Sequence, residues 1–468
     1  MKKTAALLLP LLLGACTAGP DYRKPEVSLS DSYKETPSAW KEAQPADAIA
    51  RGKWWEAFGD PELSALVEKV AAGNFSLAAA EAQYRQAQAA LGVSRAGLLP
   101  SVDANAALTR SHSPSGVTGG TTAGRTVTTR SANLSTSWEI DLWGHVRRQV
   151  EAAEAQLQAS AGDVASARLS LQAQLMTAYF QLRSLDAQKQ LFDETVAALR
   201  KSLELTQNRY NVGVAAKADV VAADAQLKSA LSQTVDLGVQ RAQLEHAIAV
   251  LTGVPPSKLS VQEKKDYQAT IPVIPPGVPS ALLERRPDVA AAERRVAAAN
   301  AQVGVAKAAF FPTLTLTGQY GYRTADPSIN LFELPNRFWS IGPALAMNLF
   351  DAGLRRAQTE QAIAAYDATV ANYRQTTLAA IGEVEDNLAA LRVLEEEARL
   401  QADSVAAARQ TLELTINQYK AGTVSYLNVV SATASYLAEQ RAAMSVMQRR
   451  LTAAVALVRA LGGGWQAQ

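Results

Sequence analysis

Residues 144–210 begin GHVRRQVEAAEAQLQAS (144–160) and end KSLELTQNRY (201–210), and between their ends the only glycine is Gly162. Ala, Leu, Gln, Glu and Arg dominate, and all are strong helix formers. A helix of about 50 residues would be roughly 75 Å long, well beyond the globular norm. Such a rod has to bury its apolar stripe against other rods. Alanine lets neighbouring backbones approach closely, while interspersed Gln, Arg and Glu leave one face wet. The stretch lies inside 115–254, which holds no proline, and a second proline-free, alanine-rich stretch runs over 344–468. Long helices packed as neighbouring rods are expected, with an ordinary helical bundle as the alternative.

The chain carries one unit written twice. Helices that end ahead of Pro100 and Pro312 come into register at an offset of 212 residues, and Arg209-Tyr210-Asn211-Val212-Gly213-Val214 recurs as Gln418-Tyr419-Lys420-Ala421-Gly422-Thr423. A period this long is no solenoid repeat; it implies two similar halves side by side. The divisions that follow are 59–270 for the first repeat, a Pro-rich linker at 271–279, 280–462 for the second repeat and a tail at 463–468. Asp60 and Pro61 are placed to cap and open a helix in the first half, and in both halves Pro-terminated helices precede segments that alternate with period two.

Those segments predict strands at about 101–110, 131–142, 313–322 and 338–349. Val102, Ala104, Ala106 and Leu108 alternate with Ser101, Asp103, Asn105 and Ala107, and Leu134, Thr136, Trp138 and Ile140 alternate with Asn133, Ser135, Ser137 and Glu139. Strands of about ten residues with one apolar face suit an outer-membrane barrel, although a soluble sandwich alternates in the same way. Trp138, Phe338, Trp339, Tyr320 and Tyr322 are candidate girdle aromatics. The Gly/Ser/Thr-rich segment at about 110–129 and RTADPSINLFELPNR (323–337) read as outward loops. Four strands cannot close a barrel, and an open edge is not tolerated in lipid. Either the sheet is soluble or several chains share one barrel, and three copies would supply twelve strands.

The N-terminus reads as an export signal over 1–15, with Lys2 and Lys3 ahead of an apolar run and small residues leading to Cys16, the only cysteine. A single cysteine forms no intramolecular disulfide. Leu13-Gly14-Ala15-Cys16 resembles the bacterial lipobox, which implies cleavage before Cys16 and acyl chains on its thiol and new amino group. Thr17 rather than Asp at the next position is compatible with delivery to the outer membrane. Residues 16–58 then form a lipidated tether, rich in Pro, Ser, Asp and Lys, and the start of the next region.

Charge and composition exclude several classes. With 46 basic and 44 acidic residues no basic stripe invites nucleic acid. No apolar run of about 20 residues follows the leader, so no transmembrane helix is expected. His112, His145 and His246 are too few and too scattered for a metal site, and Gly119-Gly120 and Gly462-Gly463-Gly464 lack a phosphate-loop context. No catalytic residue stands out, and no cofactor is expected beyond the lipid on Cys16.

Several segments taken together carry a resemblance: Gly19-Pro20-Asp21-Tyr22 after Cys16; Trp54-Trp55 with Phe58, Asp60, Pro61 and Leu63; Asn74; Trp138-Glu139-Ile140-Asp141-Leu142-Trp143-Gly144; Arg285-Arg286-Pro287-Asp288-Val289; Phe311-Pro312; and Leu349-Phe350-Asp351-Ala352-Gly353. The mature chain resembles the outer-membrane factors, the TolC-like exit ducts of tripartite efflux pumps, in their lipoprotein branch. The resemblance implies a mixed α/β membrane protein. Its homotrimer would have a twelve-stranded outer-membrane β-barrel, four strands per protomer, continued by a long periplasmic α-helical barrel. It also implies partnership with a periplasmic adaptor and an inner-membrane pump, contact with outer-membrane lipid, and passive conduction of drugs or other small toxic compounds. Gly144 and Gly353 permit the backbone bend where strand becomes helix. Near Gly213 and Gly422 the helices turn, and by position Tyr426, Leu427, Val430 and Ser431 are the candidate periplasmic gate. Ser431 stands where relatives often carry an acid, so Asp219 and Asp224 are candidates for that charge. An outer-membrane-anchored stalk or adhesive lipoprotein without a channel is the competing reading.

Overall fold

The structure is a computed structural model that describes residues 17–27, 30, 32–35, 53–112, 126–265, 267–272, 274, 285–326 and 328–463. Cys16 and its leader, most of the 271–279 linker, residues 113–125 and the tail after 463 lie outside the described residues. The chain divides into two compact units. The first comprises residues 1–26, 83–161 and 291–374, and the second 27–82, 162–290 and 375–468.

In chain order the helices are α1 (Pro61–Gly73), α2 (Phe75–Ala96), α3 (His145–Asn211), α4 (Lys217–Leu251), α5 (Pro287–Ala308), α6 (Leu354–Lys420) and α7 (Tyr426–Ala460). The strands are β1 (Ser101–His112), β2 (Thr126–Ile140), β3 (Thr313–Thr324) and β4 (Arg337–Ala346). The two rods read from composition are α3 and α6, of 67 residues each. Each is followed by a 35-residue partner, α4 or α7.

The second unit is built on a core that begins just before α1. Trp54, Trp55 and Phe58, on a short 3-10 turn, are buried with Leu63, Leu66 and Val70 of α1. Leu175, Met176, Tyr179 and Phe180 of α3, Ile248 of α4, Val384 and Leu388 of α6, and Leu451 and Val455 of α7 complete this core. Tyr33 is buried in it too, so the segment whose polarity suggested a surface tether has an aromatic anchor. Beyond the core, α3 and α4 pack antiparallel through Leu185, Phe192 and Leu237 and then Val196, Leu199 and Ala230. The α6–α7 pair packs through Leu394, Val446 and Ala453.

Asp60 starts α1. One carboxylate oxygen accepts the N–H groups of Glu62 and Leu63 at 3.0 and 3.2 Å, and Pro61 follows at the first helical position. The other oxygen accepts the Tyr179 hydroxyl at 2.7 Å. Burial opposes the charge on Asp60, but these hydrogen bonds and nearby Lys264 outweigh it and hold its pKa below the ordinary aspartate range. Beside it Arg183 is fully buried, paired at 2.7 Å with both Glu62 and Asp186 and lying 4.8 Å over the Tyr179 ring.

The sheet belongs to the first unit and is antiparallel throughout, in the order β1-β2-β3-β4. β1 and β3 run two residues past their expected ends, to His112 and Thr324, and β2 and β4 differ further. β2 begins at Thr126 rather than near 131, because Thr126-Val127-Thr128-Thr129 is β-branched and pairs with Thr109–His112. Its final residue is Ile140 rather than 142. β4 stops at Ala346 rather than 349. There the Asn348 side chain accepts the Phe350 N–H at 3.2 Å, and Arg355 Nη2 donates to the Asn348 carbonyl at 2.6 Å. Side-chain bonding replaces the ladder at that point.

Candidate functional site: the two-faced sheet and the helix turns

Register decides what each face of the sheet carries. Trp138 pairs with Leu316, and Leu316 with Pro343. Leu134 pairs with both Ala104 and Tyr320, and Tyr320 with Trp339. Leu314 pairs with Leu345 and Gly318 with Ile341. Apolar residues of all four strands therefore share one face. The other face holds Ser101, Asp103, Asn105, Asn133, Ser135, Ser137, Thr313, Thr315, Thr317 and Gln319, with small residues in β4. The apolar face is uncovered in the protomer: Leu108 is 71% exposed, Trp339 69% and Ile341 69%.

From Leu314 to Thr324 the strand extends about 33 Å at 3.3 Å per residue. Tilted near 40°, it spans about 25 Å, which matches the apolar band of an outer-membrane barrel. Trp138 lies toward the helix end and Tyr320, Tyr322 and Trp339 toward the loop end. Phe338 is a correction to the expected girdle. It pairs with Gly321, on the polar face, and its ring lies 4.8 Å beneath the Arg323 guanidinium. Among the described residues β1 and β4 each have one unpaired edge.

At both strand-to-helix corners a glycine adopts left-handed backbone: Gly144 with φ +81° between β2 and α3, and Gly353 with φ +89° between β4 and α6. The preceding residue at the second corner, Ala352, is left-handed too, at φ 53°. A carboxylate and an arginine brace each corner. Arg147 donates its backbone N–H and Nε to Asp141 at 2.8 and 3.2 Å, and Arg355 Nε donates to Asp351 at 2.5 Å. Trp143 stacks on Phe311 at 4.9 Å and donates Nε1 to the Pro312 carbonyl at 2.8 Å. The chain after Cys16 is tied down here. Thr17 lies against Gly144, the Ala18 N–H donates to the Trp143 carbonyl at 2.9 Å, and the Arg148 guanidinium donates to Asp21 at 2.9 Å and Glu151 at 2.7 Å. Tyr22 donates its hydroxyl to Glu293.

The turns joining the helix pairs place the remaining candidates. Tyr426 opens α7 and is only 1% exposed. Its ring meets Tyr419 edge-on at 5.4 Å, and its hydroxyl lies 3.1 Å from that of Ser202. Tyr426 thus packs its own protomer's helices rather than presenting an open face. Val430 is half-buried against the same cluster, whose centre is Ala223, Tyr419, Tyr426 and Val429. Leu427 is 66% exposed, and Ser431, one helical turn on, is exposed as well. Asp219 accepts its own helix's Ala216 N–H at 3.2 Å, and Asp224 pairs with Lys228 at 2.7 Å. Both acids are thereby engaged within α4. Sequence reasoning missed Val429 and also Arg209, which lies 4.7 Å over the Tyr419 ring and donates to the Tyr419 carbonyl at 3.1 Å. The repeat alignment at Arg209–Val214 marks these turns but not which residues meet across them.

No cluster of metal-ligating side chains occurs among the described residues, and no described helix is long and apolar enough to cross a membrane.

The family model described as outer membrane efflux protein matches twice, over residues 66–254 and 278–463. The pyoverdine export outer membrane protein OpmQ of Pseudomonas aeruginosa is 32% identical over 472 residues, covering 100% of this chain and 98% of that one. The toluene efflux pump outer membrane protein TtgC of Pseudomonas putida is 32% identical over 461 residues, covering 98% and 94%. Among solved structures the outer-membrane channel OprN superposes with TM-score 0.88 at 32% identity, over 96% of this chain and all of that one. The open-state MtrE outer membrane channel of Neisseria gonorrhoeae gives 0.84 at 27%, over 97% and 99%. With most of its length matched by that model and near full-length relatives above 30% identity, the chain belongs to the outer membrane efflux protein family.

Proposed function

We propose that the chain is the exit duct of a tripartite efflux pump, with three copies closing one twelve-stranded barrel and one helical tunnel. A periplasmic adaptor and an inner-membrane pump would deliver cargo, and the duct would conduct it without chemistry of its own. The observation that carries this reading is the sheet: apolar on one face, polar on the other, tall enough for the membrane and open at both edges. Unpaired edges are not tolerated in lipid, so closure needs further copies. Names of relatives, pyoverdine export and toluene efflux, support small organic molecules as cargo. A stalk without a channel would not need the uncovered apolar face.

Mass measurement in detergent should give three chains per particle, and a monodisperse monomer with a complete barrel would overturn the proposal. Cys16 is proposed as the acylated mature N-terminus. Thr17 at the strand-to-helix corner would hold that lipid near the membrane surface, and Gly144 and Gly353 would serve as the bends. For the gate, Leu427 is the favoured residue because it is exposed where Tyr426 is buried, with Ser431 a turn away. An apolar ring bars ions by dewetting. The isolated protein should therefore conduct poorly in a planar bilayer, and Leu427→Ser should raise conductance several-fold. A high wild-type conductance would defeat the closed-gate reading.

A further inference from the structure

At its loop end the apolar face of the sheet ends in arginine. Arg110 of β1 pairs with Thr128, Arg130 of β2 with Leu108 and Thr324, and Arg337 of β4 with Tyr322. These registers place all three on the face that carries Leu108, Leu134, Tyr320 and Trp339. They occupy three successive steps up the sheet, directly above the row that pairs Tyr320 with Trp339. Arg110 and Arg337 are exposed. Arg130 Nη2 donates to the carbonyls of Asp326 and Ile329 at 2.7 and 3.0 Å, which pins the β3–β4 loop beside the arginines.

Charge on the sheet is segregated. No Asp or Glu occupies this face in the four strands, and the only strand carboxylates, Asp103 and Glu139, are on the opposite face toward the helix end. A cation facing lipid is costly at mid-bilayer and tolerated at the interface, where aromatic residues also collect. Asp326 of the β3–β4 loop is the acidic residue near Arg130; with no carboxylate of the strands on this face, three such cations match an anion presented at that depth. Guanidinium forks suit phosphate, which they grip with paired hydrogen bonds.

We propose that Arg110, Arg130 and Arg337 bind the phosphate groups of the acylated, phosphorylated glycolipid of the outer leaflet, with the apolar band below receiving its acyl chains. The inference rests on the outer-membrane placement of this sheet and goes beyond conduction, since it assigns a lipid site to the outer wall.

The test uses the full-length protein in detergent and two probes: the purified bisphosphorylated glycolipid, and the same glycolipid after enzymatic dephosphorylation. Removing one basic residue near an anionic surface weakens binding about fivefold. The double variant Arg110→Gln/Arg337→Gln, which leaves the loop clamp of Arg130 in place, should bind the phosphorylated probe about 30-fold more weakly than wild type. Wild type should bind the dephosphorylated probe at least as weakly as the variant, which keeps Arg130, binds the phosphorylated one, and rising salt should erode only phosphate-dependent binding. Equal binding of both probes to wild type, or of the phosphorylated probe to wild type and variant, would overturn the proposal. If the variant does not fold, the two-probe comparison on wild type decides alone. Conductance of wild type in a planar bilayer reports on the channel reading separately.

Discussion

Gly144 and Gly353 occupy equivalent corners but not equivalent surroundings. Left-handed backbone costs a side-chain-bearing residue about 1–2 kcal/mol at either site. A Cβ on Gly144 would stand 2.4 Å from Thr17 Cγ2, whereas one on Gly353 meets nothing within 4 Å. Gly144→Ala should therefore lower thermal stability more than Gly353→Ala, and Thr17→Gly should rescue part of the difference. Equal losses, or no rescue, would show that the Thr17 contact is immaterial. Asp60 supports a prediction in pH. Its folded pKa is depressed, so its contribution is present above the unfolded value, near 3.9, and is lost as pH falls through the folded value. Asp60→Asn keeps a capping oxygen but not the charge. Wild type should melt higher than this variant at neutral pH, and the gap should shrink below about pH 4.

Helices α3 and α6 are legible in sequence because strong helix formers dominate their 67 residues and no proline interrupts them. Their pairing turns are legible too, through the repeated Gly213 and Gly422. The content of those turns is not. The exposed Tyr210 and the buried Tyr419 hold equivalent positions in the two repeats, and nothing local separates them. Packing makes the distinction: Tyr419 lies under Arg209 and against Tyr426. Tyr426→Phe removes only the hydroxyl beside Ser202 and should cost about 1 kcal/mol. Tyr426→Ala empties a buried aromatic site and should cost about 3–5 kcal/mol. Thermal unfolding of the two variants checks this, and equal effects would mean that the ring contributes nothing to the turn. Strand ends follow the same logic. The sequence between 110 and 129 reads as loop by its Gly, Ser and Thr content, yet Thr126–Thr129 pairs because a partner strand lies opposite.

At the scale of the molecule the apolar face of the sheet and the lipid proposed on Cys16 would be two independent attachments to the membrane. Cys16→Ser removes one and leaves the other, since the apolar band is part of the fold. The variant should still require detergent to stay in solution after extraction. A variant soluble in plain buffer would argue against the sheet as a membrane wall and in favour of a lipid-anchored stalk. Intact mass of the extracted wild type checks the lipid itself, and a retained Met1 would end that proposal.

The amino-acid sequence alone determined the class of element nearly everywhere, since composition sets helix and period-two alternation sets strand. It also determined the duplication, because repeated turns and prolines survive as spacing. The tertiary structure decided which residues share a face and which are buried. Phe338 moved to the polar face by register, a property of paired strands rather than of one. Tyr426 went into the protomer core at its turn because Ser202 and Tyr419 lie against it, 224 and 7 positions away. The arginines of three different strands came together on one face only when the three registers between the four strands were set, and alternation within each segment carries no information about its neighbours.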